Sequence, residues 1–499
     1  MDTRAVHSKA GRSKTVRSKV GSYVDRPWQM LIGGELRAGS GSMPVIHPGD
    51  ESVIAQLPLG SVGDVDDAVA AARAASTNWA RTPITGRAAA LLALADAVLS
   101  HGEELAWIDT LDNGSPIAVM RNDYLMAVDQ LRYFAGLALQ LKGQTLPATA
   151  PDALDFTLRD PFGVVGRLIP FNHPLMFAAS RIAAPLLAGN AVVLKPSEQT
   201  SLSALRLGEL ARTILPAGVL NVVTGTGEVA GDALVTHPDV PRIAFTGSET
   251  VGRRILARAA ATSIKTVTLE LGGKNPLLVF PDADLPAAVD GALRGMNFRW
   301  QGQSCGSTSR LFVHRSIFQR FITELAARMA SLTIGDPLLE TTDVGPLVSP
   351  AHYDRVCGYI DVGRSDTALE LVTGGTAVGR PGYFVPPTLF TAEAPHGPLF
   401  TAEIFGPVLV AAPFDDYDHA IALANSLSVG LTASVWTTSL RTALAAARDL
   451  QAGYLWVNHS SEHIAGASFG GVKNSGLGRE ESLEEIESYT QHKNVYIKF

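Results

Sequence analysis

Cysteine is nearly absent: the 499 residues contain two, Cys305 and Cys357. Two thiols build no disulfide framework, so the fold must rest on its core. A thiol used in chemistry is best kept in a reducing compartment, which makes a cytoplasmic location the default expectation. An excess of positive charge is also missing. Lys+Arg 41 against Asp+Glu 48 gives a net charge of -7, which argues against nucleic acid or another polyanion as the main partner. Long apolar runs are lacking as well. The stretch IAAPLLAGNAVVL at 182–194 is broken by Pro185, Gly189 and Asn190, short of a bilayer span, and no membrane segment is expected. No metal site is expected either. The first twenty residues carry six Lys/Arg and one acid among serines. They read as part of a disordered basic arm over residues 1–24; an organelle transit peptide has a similar composition, but the apolar face of an amphipathic helix is missing.

Present instead are Ala-rich helical patterns alternating with short β-branched runs, as in DVDDAVAAARAAS (64–76), FGVVGRLIP (162–170), NAVVLKP (190–196) and LNVVTGTG (220–227). That alternation is the mark of βαβ units around a mostly parallel sheet, so an α/β, doubly wound architecture is expected. The rhythm restarts near residue 274, which predicts a second α/β domain. The final ESYTQHKNVYIKF (487–499) reads as an edge strand seeking a partner within the chain or across a subunit interface.

Two glycine-bearing turns compete for a nucleotide. TGTGEVAG (224–231) follows a strand, but Gly225, Gly227 and Gly231 have the wrong spacing for the dinucleotide fingerprint. FTGSETVG (245–252) fits better: strand, turn, then a helix whose first N–H groups and positive dipole end would take pyrophosphate. Ser248 is a natural N-cap there, and capping alone would also explain it. Cys305 lies in QGQSCGSTSR (301–310) among small residues, as a tight loop or a reachable thiol would require, whereas Cys357 in HYDRVCGYI reads as a helix residue facing the core.

Seven stretches in order, IPFNHP (169–174), LKPSEQT (194–200), FTGSETVG, LELGGKNP (269–276), GQSC (302–305), EIFGPV (403–408) and FGGVKNSGLGRE (469–480), make the chain from about residue 25 onward resemble the aldehyde dehydrogenase superfamily. The resemblance implies a Rossmann-like NAD-binding domain (25–138 and 162–273), an α/β catalytic domain (274–473) and a small β oligomerisation arm (139–161 and 474–499) that joins subunits into a homodimer or homotetramer. It implies Cys305 as nucleophile toward the aldehyde carbonyl, Asn172 and the Cys305 N–H as oxyanion donors, and Glu270 as the general base that hydrolyses the thioester. Set between Leu269 and Leu271, Glu270 is expected to be partly buried with a raised pKa. Glu480 is implied in a proton relay. Coenzyme contacts are implied for Ile169, Pro170 and Phe171, for Lys195, Ser197 and Glu198 at the adenine ribose, and for Gly225, Phe245, Gly247, Ser248, Val251 and Leu271. Glu403 and Phe405 match the pair that holds the nicotinamide ribose and ring. A carboxylate at Glu198 would accept the ribose hydroxyls and repel a 2′-phosphate, favouring NAD over NADP.

Three positions depart from the family pattern: Trp300 replaces a common asparagine, Ser468 a proline, and Arg181 a lysine. The last bears on the relay, because arginine does not release its proton at working pH. By position the substrate walls should include His173, Phe177, Ser180, Arg299, Ser461, His463 and Phe469, a fairly polar set suited to an aromatic or oxygenated aldehyde. With few aromatics in that set, a quaternary ammonium aldehyde is not expected. An acyl-transferring relative that uses coenzyme A or a semialdehyde-specific one, and a non-catalytic structural or binding protein on the same fold, are the competing readings. Glu270 argues against the first, and the presence of Cys305, Glu270 and Asn172 against the second.

Overall fold

The computed structural model describes residues 17–499 except 19, 148, 149 and 380. Most of the expected basic arm therefore lies outside the described residues. Its end point is corrected: Val20 and Val24 are buried in the core and Arg17 pairs with Asp50, so packed chain begins before residue 24.

The β-branched runs form the centre of an eight-stranded sheet, in the order 35–37, 30–32, 220–222, 191–195, 164–168, 242–246, 266–270 and 476–477. The five strands from 220–222 to 266–270 are mutually parallel, and each of the outer three pairs antiparallel with its inner neighbour. The central strands Val164–Leu168, Ala191–Lys195 and Arg242–Thr246 are buried along their whole length, as sheets covered on both faces require. Strand order reverses between Val164–Leu168 and Arg242–Thr246. At such a switch point the loops leaving the two strands diverge and open a crevice.

A second sheet of seven strands begins at Pro276–Val279, close to the expected domain start. Its residues alternate between two cores: Leu277, Val279, Leu311 and Val313 face one, Leu278, Phe312 and Val410 the other. Cys357 lies on the helix Pro350–Ser365 and is half-buried against the second of these cores.

The chain's last strand, Thr490–Lys498, pairs antiparallel with Ala153–Pro161 over its full length, and Thr145–Leu146 completes a three-stranded arm. The boundary expected at residue 474 falls too early. Gly476–Leu477 pairs with Leu269 and Glu270 in the first sheet, and Ile486 and Tyr489 join the first core, so only residues from Thr490 onward belong to the arm.

Backbone proximity explains one glycine in the second domain. Gly291 lies on the buried face of the helix Leu285–Gly295, where a Cβ would overlap the Trp436 ring. Trp436 is 3% exposed and its indole N–H donates to Ser434 Oγ at 3.0 Å, so it has no room to yield. Gly291→Ala should destabilise the protein by about 1–3 kcal/mol through overpacking. A thermal unfolding midpoint equal to that of the unsubstituted protein would contradict this.

Candidate active site

Cys305 is carried on a loop fixed by side-chain amides. The chain leaves the turn Phe298–Trp300 through Gln301 and Gly302, both at positive φ (56° and 68°), and a Cβ on Gly302 would collide with the Gly406 carbonyl. Asn275 Nδ2 donates to the carbonyls of Cys305 (2.7 Å) and Ser307 (3.0 Å), and its Oδ1 accepts from the Thr432 N–H at 3.0 Å. Gln303 donates to Gln301 Oε1 at 2.9 Å and accepts from the Val348 N–H at 3.1 Å. The thiol is half-buried and lines two cavities at once. Burial first, then the Glu403 and Glu270 carboxylates, push it up to about 12, so the resting group is a neutral thiol that needs a base.

The first cavity, about 480 Å³, opens at the switch point of the first sheet. Pro170, Phe171, Asn172, Lys195, Ser197, Glu198, Phe245, Gly247, Ser248, Val251, Glu403 and Phe405 all line it. Ser248 caps the helix Glu249–Ala260 by accepting from the Val251 N–H, and a Cβ on Gly247 would overlap the Phe245 ring, so bare backbone faces the cleft there. Lys195 Nζ lies 3.1 Å from Glu198 Oε2. Glu403 accepts the Gly273 N–H at 3.2 Å, and a side chain at Gly272 would overlap its carboxylate. Burial pushes Glu403 up to about 7, opposed by that N–H and by Arg355. Phe405, at positive φ (60°), packs edge-on to Phe171 at 5.6 Å. His352, not anticipated from the sequence, joins this group and bonds through Nε2 to the Phe405 carbonyl at 2.7 Å. A cleft at the switch point of a parallel sheet, with a helix start and glycine-thinned backbone in its wall, fits a dinucleotide.

Three residues expected at the coenzyme do not line this cavity. Ile169 is 5% exposed and its side chain turns away between Leu168 and Pro170, which do face the cleft. Gly225 packs under the Gly60 carbonyl and Ala230; the cleft is reached at Gly227 and Gly231. Leu271 lines the second cavity.

Between the cavities lies a buried charge cluster. Glu480 is 2.7 Å from Arg167 and 3.1 Å from Arg181, and Arg181 also reaches Glu481 at 2.9 Å. Glu270, at the end of the strand Thr266–Glu270, has both oxygens buried without a hydrogen-bond partner, against Gly470, whose φ of 154° lets the backbone approach. Burial first and Glu480 second raise Glu270 well above the usual carboxylate range. Burial alone would raise Glu481 too, but His463 and Arg181 outweigh it and hold that carboxyl at about 2.

The second cavity, about 320 Å³, is bounded by Cys305, Glu270, Glu480, His173, Phe177, Ser461, His463 and Phe469. Arg299 is a correction: it points to solvent from the turn Phe298–Trp300, and Trp300 enters the cavity in its place. Ser180 is the other. It is fully buried and donates to the Met176 carbonyl at 2.6 Å, away from the cavity. Met126, Met176 and Leu271 were not anticipated. Polar residues not anticipated there, Asn122, Asn297 and Glu462, also line the cavity, so its walls mix these apolar side chains with polar ones.

Residues 36–495 match the model of the aldehyde dehydrogenase family, and the chain belongs to that family. It is 44% identical to a phenylacetaldehyde dehydrogenase of Pseudomonas fluorescens over 95% of this chain and 96% of the relative. Among solved structures, the NAD+ complex of an aldehyde dehydrogenase from Bacillus cereus is similar at 38% identity, with TM-score 0.93, covering 96% of this chain and 98% of that one. An indole-3-acetaldehyde dehydrogenase of P. syringae, in complex with NAD+ and IAA, is similar at 36% identity, with TM-score 0.94, covering 97% and 99%. As a member of that family the protein is an aldehyde dehydrogenase.

The cluster makes a prediction about pH. A base with a raised pKa is active only as it ionises, so turnover limited by Glu270 rises with pH through that pKa. Glu480→Gln removes a negative neighbour and leaves two arginines less compensated, and both changes lower the Glu270 pKa. The rising limb of kcat against pH should move to lower pH; an unmoved limb, or one shifted upward, would contradict the coupling.

Proposed function

We propose that the protein oxidises aromatic aldehydes to the carboxylic acids, with NAD preferred over NADP, through Cys305, Glu270 and Asn172. The observation that carries this is the placement of Cys305 at the meeting point of the two cavities, with the unpartnered Glu270 carboxylate between them. The thiol, deprotonated by Glu270 directly or through water, adds to the carbonyl. The oxyanion is met by the Asn172 amide, 3% exposed, and by the Cys305 N–H. A nicotinamide coenzyme held beside Glu198, Glu403 and Phe405 would supply the hydride acceptor that lets the Cys305 adduct become a thioester. Glu270 then draws a proton from water, the hydroxide adds to the thioester, and the acid leaves as the thiol is restored. Arg181 holds Glu480 and carries no proton onward, so protons leaving Glu270 go to water.

Aromatic substrates are favoured by walls built of Phe177, Trp300, Phe469, Met126 and Met176. NAD is favoured by Glu198, whose carboxylate would accept the ribose hydroxyls and repel a 2′-phosphate. We further read the protein as a cytoplasmic homodimer or homotetramer. The strand Thr490–Lys498 has Ala153–Pro161 on one side only, and its exposed outer edge suits a second copy. The basic residues at the N-terminus have no assigned role.

The assignment is tested by NADH formation from phenylacetaldehyde and propanal. The native protein should favour phenylacetaldehyde in kcat/KM, and Cys305→Ala should turn over neither while still binding NAD. Residual turnover above roughly a thousandth of the original rate would remove Cys305 as nucleophile. A second variant addresses the coenzyme. Glu198→Ser should lower kcat/KM for NAD and raise it for NADP, moving their ratio by about tenfold or more, the worth of one charge-assisted hydrogen bond. A shift below about threefold would take Glu198 off the ribose.

A further inference from the structure

The aldehyde cavity holds two histidines arranged alike. His173 Nδ1 lies 2.8 Å from Asp123 Oδ2, and His463 Nδ1 lies 3.1 Å from Glu481 Oε2. Both carboxylates are buried, with side chains 1% and 6% exposed, whereas the imidazoles are 13% and 24% exposed and line the cavity. The two pairs come from separate parts of the chain: Asp123 from the helix Ile117–Gly136, His173 from the turn before Pro174–Ser180, and His463 and Glu481 from the two segments beside Phe469. Neither Nε2 has a protein hydrogen-bond partner among the described residues. Of the other charged groups lining this cavity, Arg181 and Glu480 pair with each other, Glu462 pairs with His459, and Glu270 is the base described above.

We propose that His173 and His463 are specificity determinants that select aromatic aldehydes bearing a ring hydroxyl. Each carboxylate fixes a proton on Nδ1, so Nε2 is an acceptor in the neutral ring and a donor in the charged one. A hydroxyl, which both donates and accepts, pairs with either form. A ring carboxylate pairs with the charged form alone, a quaternary ammonium with neither, and an unsubstituted ring leaves the Nε2 atoms dry and unpaired. Flat apolar surfaces flank both groups: His173 packs on Phe177 (5.6 Å) and Trp300 (5.4 Å), and His463 on Phe469 (4.6 Å). Beside the same cavity, Trp300 Nε1 and Ser461 Oγ are buried without partners, and Ser461 is held at a φ of 61°. Buried polar groups left unpaired are costly, and a hydroxyl brought in with substrate supplies what they lack.

The inference rests on the aromatic-aldehyde reading, and one comparison separates the two. With saturating NAD, kcat/KM is measured for propanal, phenylacetaldehyde, 3-hydroxyphenylacetaldehyde and 4-hydroxyphenylacetaldehyde. At least one hydroxylated substrate should exceed phenylacetaldehyde by about fivefold or more, the worth of an ordinary hydrogen bond. In His463→Phe and His173→Phe, each checked for an unchanged unfolding midpoint, that ratio should fall toward one in at least one variant. A smaller gain for both isomers in the native protein, or a ratio retained in both variants, overturns the proposal while leaving turnover of phenylacetaldehyde intact. Turnover of propanal with none of the aromatic substrates overturns the aromatic reading and this inference with it.

Discussion

Two buried arginines, Arg167 and Arg181, set the terms for the charges around Glu270. Buried cations require anions within reach, or the cost of stripping them of water is not recovered. Glu480 answers both arginines and Glu481 answers the second. These partners lie some three hundred residues further along the chain, so the pairing clamps the returning segment onto the strand Val164–Leu168 and the helix Pro174–Ser180. Glu270 comes third to a cluster already neutralised. It receives no hydrogen bond, its proton is held tightly, and it is thereby kept as a base with real affinity for the proton it must take.

The same cluster reaches the aldehyde cavity. Arg181 orients Glu481, Glu481 fixes His463, and His463 stacks on Phe469 in the cavity wall. The guanidinium also lies over the Phe177 ring at 5.2 Å. Replacing the family's lysine by arginine at this position therefore changes more than a relay: a planar fork ties two carboxylates at once, which a single ammonium would not hold in the same geometry. Substrate selection and base strength share one set of charges.

What the sequence made legible follows from how local the signal is. Cys305, Glu270, Asn172, Glu198 and Glu403 stand in short loop or strand-end motifs, where residue type and position together define a place, and the structure brings them to one cleft. The errors come from side-chain direction. Ile169 sits between two residues that face the cleft and so faces away, as alternation at a strand end demands. Arg299 and Trp300 are adjacent on a tight turn, and one step decides which enters the cavity. Gly225 has the look of a phosphate loop but is a packing glycine. His173 and His463 were legible as wall residues, but the carboxylates behind them were not, because Asp123 and Glu481 gain meaning only once folding brings them beside the two rings. The late boundary of the arm was hidden for a related reason: Gly476–Leu477 is too short to announce itself as a strand, and its pairing with Leu269 and Glu270 is wholly tertiary.

The amide that steadies the nucleophile's loop also has a chemical lifetime. An asparagine ages when the peptide nitrogen after it, having lost its hydrogen, closes on the side-chain carbonyl and expels ammonia. Asn275 is followed by Pro276, whose nitrogen has no hydrogen to lose. Asn113, which props the Phe171 carbonyl at 2.7 Å, is followed instead by Gly114, the most permissive neighbour for that closure. Time thus acts unequally on the two supports: the one under Cys305 is protected by the covalent structure of the next residue, whereas the one under the coenzyme cleft depends on its burial to stay an amide.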